Sequence, residues 1–367
     1  MKDDITIVCD LLLNEYGSAR PASLIAKDLS KRGYSIKIVS NIISEEINKN
    51  FQSHGISTFS LNRKPCLKDE SIIWFRLWFE EAFLHRNSLE TSKFNSVILN
   101  FSNTIAMPSH IWYVQGLPTV TLKNMKPHLP LRYKLPYMLM AKILNYGEKK
   151  INRKFASLSK KIIANSRYSA SQYENLGINV DSIIYPPLDC KSFKPVTSHP
   201  SGDYFLTYFG KETQFRLVKR LLDEGIKIKS FGSKLSIIPK AVREHPNLES
   251  FGYVTKNQLI DLYSNALATL FPFSDEPFGY IPVESMACGT PVLTYNKHGP
   301  KESIIHESTG WLVKDDRELL EKAVEIWKKG YDSHMRSKCR KRSLNFDIER
   351  IAPKWIKIID SIESDTA

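Results

Sequence analysis

The feature that most constrains the fold is a repeated alternation of short apolar segments with segments of helical periodicity. In the first such unit, residues 5–9 form a run of β-type residues and residues 22–32 carry apolar side chains at helical spacing. Gly33 ends the predicted helix, and residues 34–40 alternate as a second strand. A strand, a helix and a strand in this order predict a parallel, doubly wound α/β sheet.

The same alternation occurs in both halves of the 367-residue chain. Further strands are predicted at residues 96–100, 111–114, 161–165, 205–209, 226–231, 268–271 and 291–295, with helices at 212–224, 259–266 and 282–287. Between the halves, Pro186, Pro187, Pro195 and Pro200 lie in a segment without periodicity, which is typical of a linker or hinge.

A chain of this length exceeds what one core comfortably holds. We therefore predict two Rossmann-like doubly wound domains, residues 1–190 and 203–345, that face each other across a cleft. Residues 346–367 are predicted to form a C-terminal helix that packs back toward the N-terminal domain.

The formal net charge of +13 favours an anionic partner. Nucleic acid, an anionic membrane face and a phosphorylated substrate each fit such a field, as does a general bias toward lysine for solubility. The five cysteines are scattered and never spaced as C-x-x-C, which argues against a disulfide framework or a structural zinc. This cysteine usage predicts a reducing, cytoplasmic compartment.

Membrane contact, if there is any, is expected to be peripheral. The charged residues Lys2, Asp3 and Asp4 argue against a signal peptide, and the chain has no uninterrupted apolar run of spanning length. Residues 128–150 mix aliphatic and aromatic side chains with lysine and arginine. Such a stretch fits either a helix on an anionic membrane surface or a buried helix flanked by solvated lysines.

The segment most indicative of chemistry is residues 271–313, which contains Glu276, Phe278-Gly279 and Glu284. We expect Glu284 in the first turn of a helix that also contains Pro282. Backbone N–H groups of residues 279–283 would then be available to anionic oxygens at the helix start. Two carboxylates beside such a site can bind the vicinal hydroxyls of a sugar and a ribose.

The E-x7-E spacing, with FG after the first glutamate and ACGTPV after the second, closely resembles retaining glycosyltransferases of the two-domain GT-B fold. Three other segments are most similar to mannosyltransferases that extend lipid-linked oligosaccharides: FGYVTKNQLIDLYSNA, NSRYSASQYENLGI with IIYPPLD, and WYVQGLPT. The resemblance implies that Glu276 contacts the transferred sugar and Glu284 the nucleotide ribose, with Phe278, Gly279 and Tyr280 beside them in the donor site.

Cations for the donor diphosphate are expected after a predicted strand that ends near Gly210. The family commonly has arginine and then lysine there, whereas this chain has Lys211 and then Arg216. The family's Gly-Gly turn near the donor phosphate corresponds to Gly17 and Ser18, where one glycine remains.

The acceptor side departs from the family pattern. Where the lipid-linked mannosyltransferases carry a histidine, this chain has Gln115, which cannot take a proton and is limited to hydrogen bonding. His110 is close in sequence but out of register, so it is a weaker acceptor-side candidate.

The resemblance implies a retaining, metal-independent transferase without a cofactor, which moves a hexose, with mannose favoured, from a GDP- or UDP-sugar. The implied acceptor is a glycan or a polyprenyl-linked glycan, at the cytoplasmic membrane face. A nucleotide-sugar epimerase on the same fold is an alternative, and a basic nucleic-acid-binding protein is a weaker one. A dinucleotide-linked dehydrogenase is disfavoured because no G-x-G-x-x-G follows a predicted strand.

Overall fold

The computed structural model describes residues 4–15, 17–63, 70–84, 96–125, 131–198, 200–210, 213–232, 238–273 and 275–364. The chain divides into two compact units. The first unit comprises Met1–Thr119, Leu131–Pro187 and Ile348–Ala367, and the second comprises Val120–Pro130 and Leu188–Asp347.

The described part of the first unit contains a seven-stranded parallel sheet of order β3-β2-β1-β4-β5-β6-β7. Its strands are β1 (Asp4–Leu12), β2 (Ser35–Ile43), β3 (Ser57–Ser60), β4 (Val97–Asn100), β5 (Ser109–Val114), β6 (Ser159–Ala164) and β7 (Ser182–Ile183). Its helices before residue 188 are α1 (Arg20–Lys31), α2 (Glu45–Ser53), α3 (Glu70–Phe83), α5 (Leu131–Ser157) and α6 (Arg167–Glu174). Helix α4 (Pro118–Met125) begins in the first unit and lies mainly in the second.

The second unit is built on a six-stranded parallel sheet, within the described residues, of order β10-β9-β8-β11-β12-β13. Its strands are β8 (Phe205–Tyr208), β9 (Ile228–Phe231), β10 (Leu248–Ser250), β11 (Ala268–Phe271), β12 (Val292–Tyr295) and β13 (Gly310–Val313). Its helices are α7 (Phe215–Asp223), α8 (Lys240–Arg243), α9 (Lys256–Asn265), α10 (Tyr280–Ala287), α11 (Pro300–Ser303), α12 (Asp316–Lys329) and α13 (His334–Ser343). The prediction of two doubly wound α/β domains is therefore confirmed.

The C-terminal helix α14 (Ile348–Ser364) belongs to the core of the first unit. Its Trp355 ring lies 5.2 Å, between centroids, from the rings of both Phe101 and Tyr113. Ile351 and Ile359 are fully buried in the same cluster as the inner face of α1. Burial of these side chains explains why the last helix joins the unit that begins the chain.

The proline-rich segment is held by hydrogen bonds, whereas its composition predicts a linker or hinge. From Leu188 onward it is part of the second unit, whereas the sequence predicted a linker until residue 203. Arg340 of α13 donates to the carbonyl oxygens of Cys190 and Phe193 at 2.9 and 2.7 Å. These charge-assisted hydrogen bonds hold the segment against its own unit.

Both sheets have a point at which the strand order reverses. In the first unit it lies between β1 and β4, and in the second between β8 and β11. Loops that leave the carboxyl ends of such neighbouring strands diverge and open a crevice, which is where open α/β sheets bind ligands. The loops after β1, β8 and β11 are therefore expected to form the ligand-binding crevices.

Candidate functional site

The reversal point of the second sheet brings together the predicted donor-site segments. Glu276 follows β11, and Arg216 is the exposed second residue of α7, which follows β8. A cation at the positive end of a helix dipole is unfavourable by itself and is stabilised by an approaching anion. Lys211, the other predicted cation, lies outside the described residues.

The Glu276 carboxylate faces the start of α10. Its Oε1 accepts a hydrogen bond from the amide of Gly279 at 3.2 Å. Gly279 precedes the helix with φ +90°, a left-handed conformation that L side chains disfavour. The Gly279 amide, which the sequence predicts to be available to anionic oxygens, is thus hydrogen-bonded to Glu276 in this structure.

A second glycine holds this turn in place. The Gly299 amide donates to the Glu276 carbonyl oxygen at 2.9 Å. A Cβ on Gly299 would lie 2.1 Å from the carbonyl oxygen of Pro277, so no larger residue fits without displacement of the turn. This role of Gly299 was not predicted from the sequence, although the Gly299-Pro300 pair after β12 indicates a turn.

Glu284 lies in the second turn of α10, not in the first turn as predicted. The helix begins at Tyr280 and not, as predicted, at Pro282. This start is set by Gly279, whose left-handed conformation ends the preceding turn. Glu284 has 7% of its surface exposed, and its Oε2 accepts a hydrogen bond from the Tyr263 hydroxyl at 3.0 Å. A buried carboxylate of this kind requires such a donor.

Tyr263 is in turn fixed by α13. The Thr290 hydroxyl donates to the Tyr263 carbonyl oxygen at 2.5 Å and accepts from Arg336 at 2.9 Å. Arg336 also donates to the carbonyl oxygen of Ala266 at the end of α9. Glu284 is therefore linked through Tyr263 to buried and part-buried hydrogen bonds. These were not predicted from the sequence because they depend on how three helices pack.

Phe278, predicted to lie in the donor site, has a buried side chain. Its ring is buried at 5.6 Å, between centroids, from Phe346 and edge-on to Tyr280 at 5.5 Å. Apolar packing holds it in the core of its unit. Tyr280, the first residue of α10, is half-buried.

In the first unit, the structure brings Gln115 next to the predicted phosphate turn. Gln115 Nε2 donates to the carbonyl oxygen of Ser18 at 3.0 Å. Gly17 has φ +54°, and a Cβ built there would meet nothing within 4 Å, so its surroundings are open. The Gln115 carbonyl oxygen accepts from Asn165 and Ser169, which positions this residue from the other side.

His110 is corrected as an acceptor-side candidate. It lies near the amino end of β5, whereas Gln115 follows the carboxyl end, which is the ligand-binding edge of a parallel sheet. The His110 Nδ1 accepts a hydrogen bond from the amide of Ile98 at 3.1 Å. Burial, with a smaller effect of Lys160, lowers the pKa of the His110 imidazole, as expected for a structural, neutral histidine.

Cys288, which follows the last residue of α10, is not a nucleophile. It is fully buried, and this burial raises the pKa of its thiol, with the charge of Glu284 acting in the same direction. The thiolate form that would react is therefore suppressed.

Residues 240–345, which include Glu276, Glu284, Tyr263 and Gly299, match the family of glycosyl transferases group 1. The chain carries a glycosyl transferases group 1 domain. The chain is also similar to the alpha-1,3/1,6-mannosyltransferase ALG2 of Mus musculus, with 27% identity over 206 residues. That match covers 46% of this chain and half the length of the mouse protein.

Solved structures show that the whole chain has the GT-B fold. Sucrose-phosphate synthase from Thermosynechococcus elongatus is similar with a TM-score of 0.73 and 16% identity, over 99% of this chain and all of that one. Anabaena HepE in complex with UDP is similar with a TM-score of 0.69 and 14% identity, over 98% of this chain and all of that one. At these identities the likeness concerns the fold alone.

Proposed function

We propose that this protein is a retaining glycosyltransferase that takes a hexose from a nucleotide-diphosphate sugar. The observation that carries the proposal is the pair of carboxylates around the first turns of α10, within the glycosyl transferases group 1 domain. Glu276 is hydrogen-bonded across the start of the helix, and Glu284 is buried and oriented by Tyr263. Carboxylates held in fixed orientations suit the recognition of hydroxyl groups.

The two carboxylates have different roles in this proposal. Glu284 accepts hydrogen bonds from the ribose hydroxyls of the nucleotide, and Tyr263 keeps its carboxylate from rotating. Glu276, in the loop at the reversal point of the sheet, accepts from hydroxyls of the sugar that is transferred. This division is the one that the family resemblance implies.

The diphosphate is proposed to be bound by charge and by backbone amides. Arg216 at the start of α7 and Lys211 supply positive charge, and the first turn of α10 supplies N–H groups without helical partners. The turn at Gly17 and Ser18 provides a further approach to a phosphate. Because these groups stabilise the charge that develops on the leaving diphosphate, the reaction is proposed to need no metal ion.

Retention follows from departure and attack on one face of the sugar. The bond between the anomeric carbon and the diphosphate oxygen breaks, and the acceptor oxygen bonds to the same carbon from the same side. The acceptor proton passes to the departing diphosphate oxygen, so no protein carboxylate has to act as nucleophile. Catalysis then consists of positioning and of electrostatic stabilisation of the leaving group.

Mannose is the favoured sugar, since the chain resembles ALG2 and ALG2 is named as a mannosyltransferase. GDP and UDP are both proposed as donor nucleotides. HepE, which has the same fold, was crystallised with UDP. A polyprenyl-linked glycan is proposed as acceptor, with the protein bound peripherally at the cytoplasmic face of a membrane. In keeping with this, every helix among the described residues is too short or too polar to cross a bilayer.

A thermal-shift panel of UDP, GDP, ADP, CDP and TDP tests the proposal. A nucleotide at about a hundred times its dissociation constant adds about 2.7 kcal/mol to the stability, so the matching one should raise the Tm by several degrees. Incubation with the corresponding sugar nucleotides then separates reactions by product. Release of nucleotide diphosphate on addition of an acceptor supports transfer, whereas an isomerised sugar nucleotide would indicate an epimerase. No shift with any nucleotide at millimolar concentration would overturn the proposal.

A further inference from the structure

Helix α5 changes character along its length. From Leu144 onward one side of the helix is buried, and its inward side chains are Leu144, Glu148, Ile151, Asn152 and Phe155. Between residues 134 and 143, none of the described side chains is buried. The described side chains between residues 134 and 143 are therefore exposed or half-buried, and most of them are apolar.

The exposed apolar side chains form one stripe. Five of the six large exposed apolar side chains of the described helix belong to it, namely Leu135, Met138, Leu139, Ile143 and Tyr146, of which Leu139 is 83% exposed and Tyr146 64%. The sixth, Met140, is 36% exposed and lies to one side of the stripe. At 100° per residue these positions fall within an arc of about 140°, centred opposite the inward face. The stripe is about 16 Å long at 1.5 Å per residue. Monomeric soluble proteins rarely expose so many large apolar side chains together.

The charges along the same face are all positive. Lys142 lies within the stripe, and Lys149, Lys150 and Arg153 continue the same face beyond its end. The acidic residue of this helix, Glu148, is buried on the opposite face and accepts hydrogen bonds from the backbone amide and hydroxyl of Thr119. The outward face thus combines an apolar stripe with cations and carries no carboxylate within the described helix.

We propose that this face of α5 inserts into the interface of an anionic lipid bilayer. An apolar stripe enters the boundary between headgroups and acyl chains, while lysine and arginine at its end contact anionic headgroups. The long stems of the lysines allow their ammonium groups to reach the headgroups while the stripe is immersed. A second copy of the chain would place these cations against one another, so charge complementarity favours the bilayer as the occupant.

The proposal deepens the peripheral membrane association given above and assigns it to named residues. It would place the first unit against the membrane from which a lipid-linked acceptor is presented. Residues 128–150 fitted either a surface helix or a buried helix. Within the described part, the side chains between residues 134 and 143 are not buried, and from Leu144 onward one side of the helix is packed.

Vesicle flotation tests the proposal. Wild type is expected to float with vesicles of 70% phosphatidylcholine and 30% phosphatidylserine, and far less with phosphatidylcholine alone. Leu139→Glu should lower the apparent partition coefficient at least tenfold, because it places a carboxylate in the stripe. Ile305→Glu, at an exposed apolar residue of the second unit, is the matched control and should bind as wild type does. Equal flotation of Leu139→Glu and wild type would overturn the proposal.

Insertion depth is measured with an environment-sensitive label. The four described cysteines are buried, so Leu139→Cys in a Cys66→Ser background accepts an NBD label at a defined site. NBD emission should shift to shorter wavelength on addition of anionic vesicles, and a label at Ile305→Cys should not respond. An unchanged spectrum at position 139, or loss of a vesicle-independent dimer in Leu139→Glu by analytical ultracentrifugation, would contradict lipid insertion. Nucleotide-induced thermal shifts of Leu139→Glu report on the donor site separately, so failure of one proposal is distinguishable from failure of the other.

Discussion

The Tyr263 hydroxyl donates a hydrogen bond to Glu284 Oε2 at 3.0 Å, from a side chain that is itself fully buried. The contact joins α9 to α10 and sets the orientation of the carboxylate that is proposed to bind ribose. Tyr263 is thus a positioning residue, which acts on the nucleotide through Glu284.

Tyr263→Phe removes this hydrogen bond while it keeps the ring. The loss should destabilise the protein by about 1 kcal/mol and weaken nucleotide binding about fivefold, because the Glu284 carboxylate is no longer fixed. Calorimetric titration with the matching nucleotide diphosphate measures the affinity, and urea unfolding measures the stability. Tyr253→Phe, at an exposed tyrosine of the same unit, is the control and should change neither. Unaltered affinity in Tyr263→Phe would show that the contact serves stability alone.

Gly299→Ala tests the turn that carries Glu276. The added Cβ would lie 2.1 Å from the Pro277 carbonyl oxygen, so the turn must move, at a cost of about 1–3 kcal/mol. We expect transfer activity to fall at least as steeply as stability. Lys301→Ala, at an exposed position of the same short helix, should leave both unchanged. Full activity of Gly299→Ala would mean that the position of Glu276 is not critical.

The pH dependence of stability should contain a contribution from His110. Its pKa is lowered in the folded protein, mainly by burial, relative to about 6.5 in an unfolded chain. The unfolded state therefore binds more protons in that range, and the contribution is present above about pH 6.5 and lost as the pH falls toward the folded pKa.

His110→Gln removes the titrating group and keeps an acceptor for the Ile98 amide. The variant should unfold with a weaker dependence on pH between about 7 and 5, as measured by denaturant midpoints, and should keep its transfer activity. A large loss of activity with unchanged stability would instead restore His110 as an acceptor-side candidate.

The thiols should be inert in the native protein. Burial raises the pKa of the Cys190 and Cys339 thiols to about 12. Burial also raises the pKa of the Cys9 and Cys288 thiols, and by more. In a Cys66→Ser background, Ellman's reagent at pH 8 should release almost no thiolate colour until denaturant is added. Rapid reaction of Cys288 that a nucleotide suppresses would show that α10 opens to solvent.

The sequence was sufficient to predict the architecture because the β-α-β alternation is local and repeated. It was also sufficient to single out the segment proposed as the donor site, since Glu276, Phe278-Gly279 and Glu284 lie within nine residues. The predicted position of Glu284 within its helix was wrong by one turn, because the start of the helix depends on the positive φ of Gly279.

Contacts between separate elements were beyond sequence reasoning. The pairing of Tyr263 with Glu284 depends on the packing of α9 against α10, and the approach of Gly299 to Pro277 depends on two loops that meet. The exposure of α5 was equally undetermined, because an apolar and basic helix has the same composition whether it is buried or bound to a membrane. The choice of His110 as an acceptor-side candidate was avoidable, since its place near the start of a predicted strand already separated it from the ligand-binding edge.

Calorimetric titration of the matching nucleotide diphosphate into Glu284→Ala and Glu276→Ala tests the central claim most directly. Glu284→Ala should weaken nucleotide affinity about tenfold or more, a change of at least about 1.4 kcal/mol. Glu276→Ala should keep the nucleotide affinity and lose turnover with the sugar nucleotide, because its hydroxyl partners belong to the sugar. Glu321→Ala, at an exposed glutamate of α12, should bind and turn over as wild type does. An equal loss of nucleotide affinity in both site variants, or none in Glu284→Ala, would contradict the account.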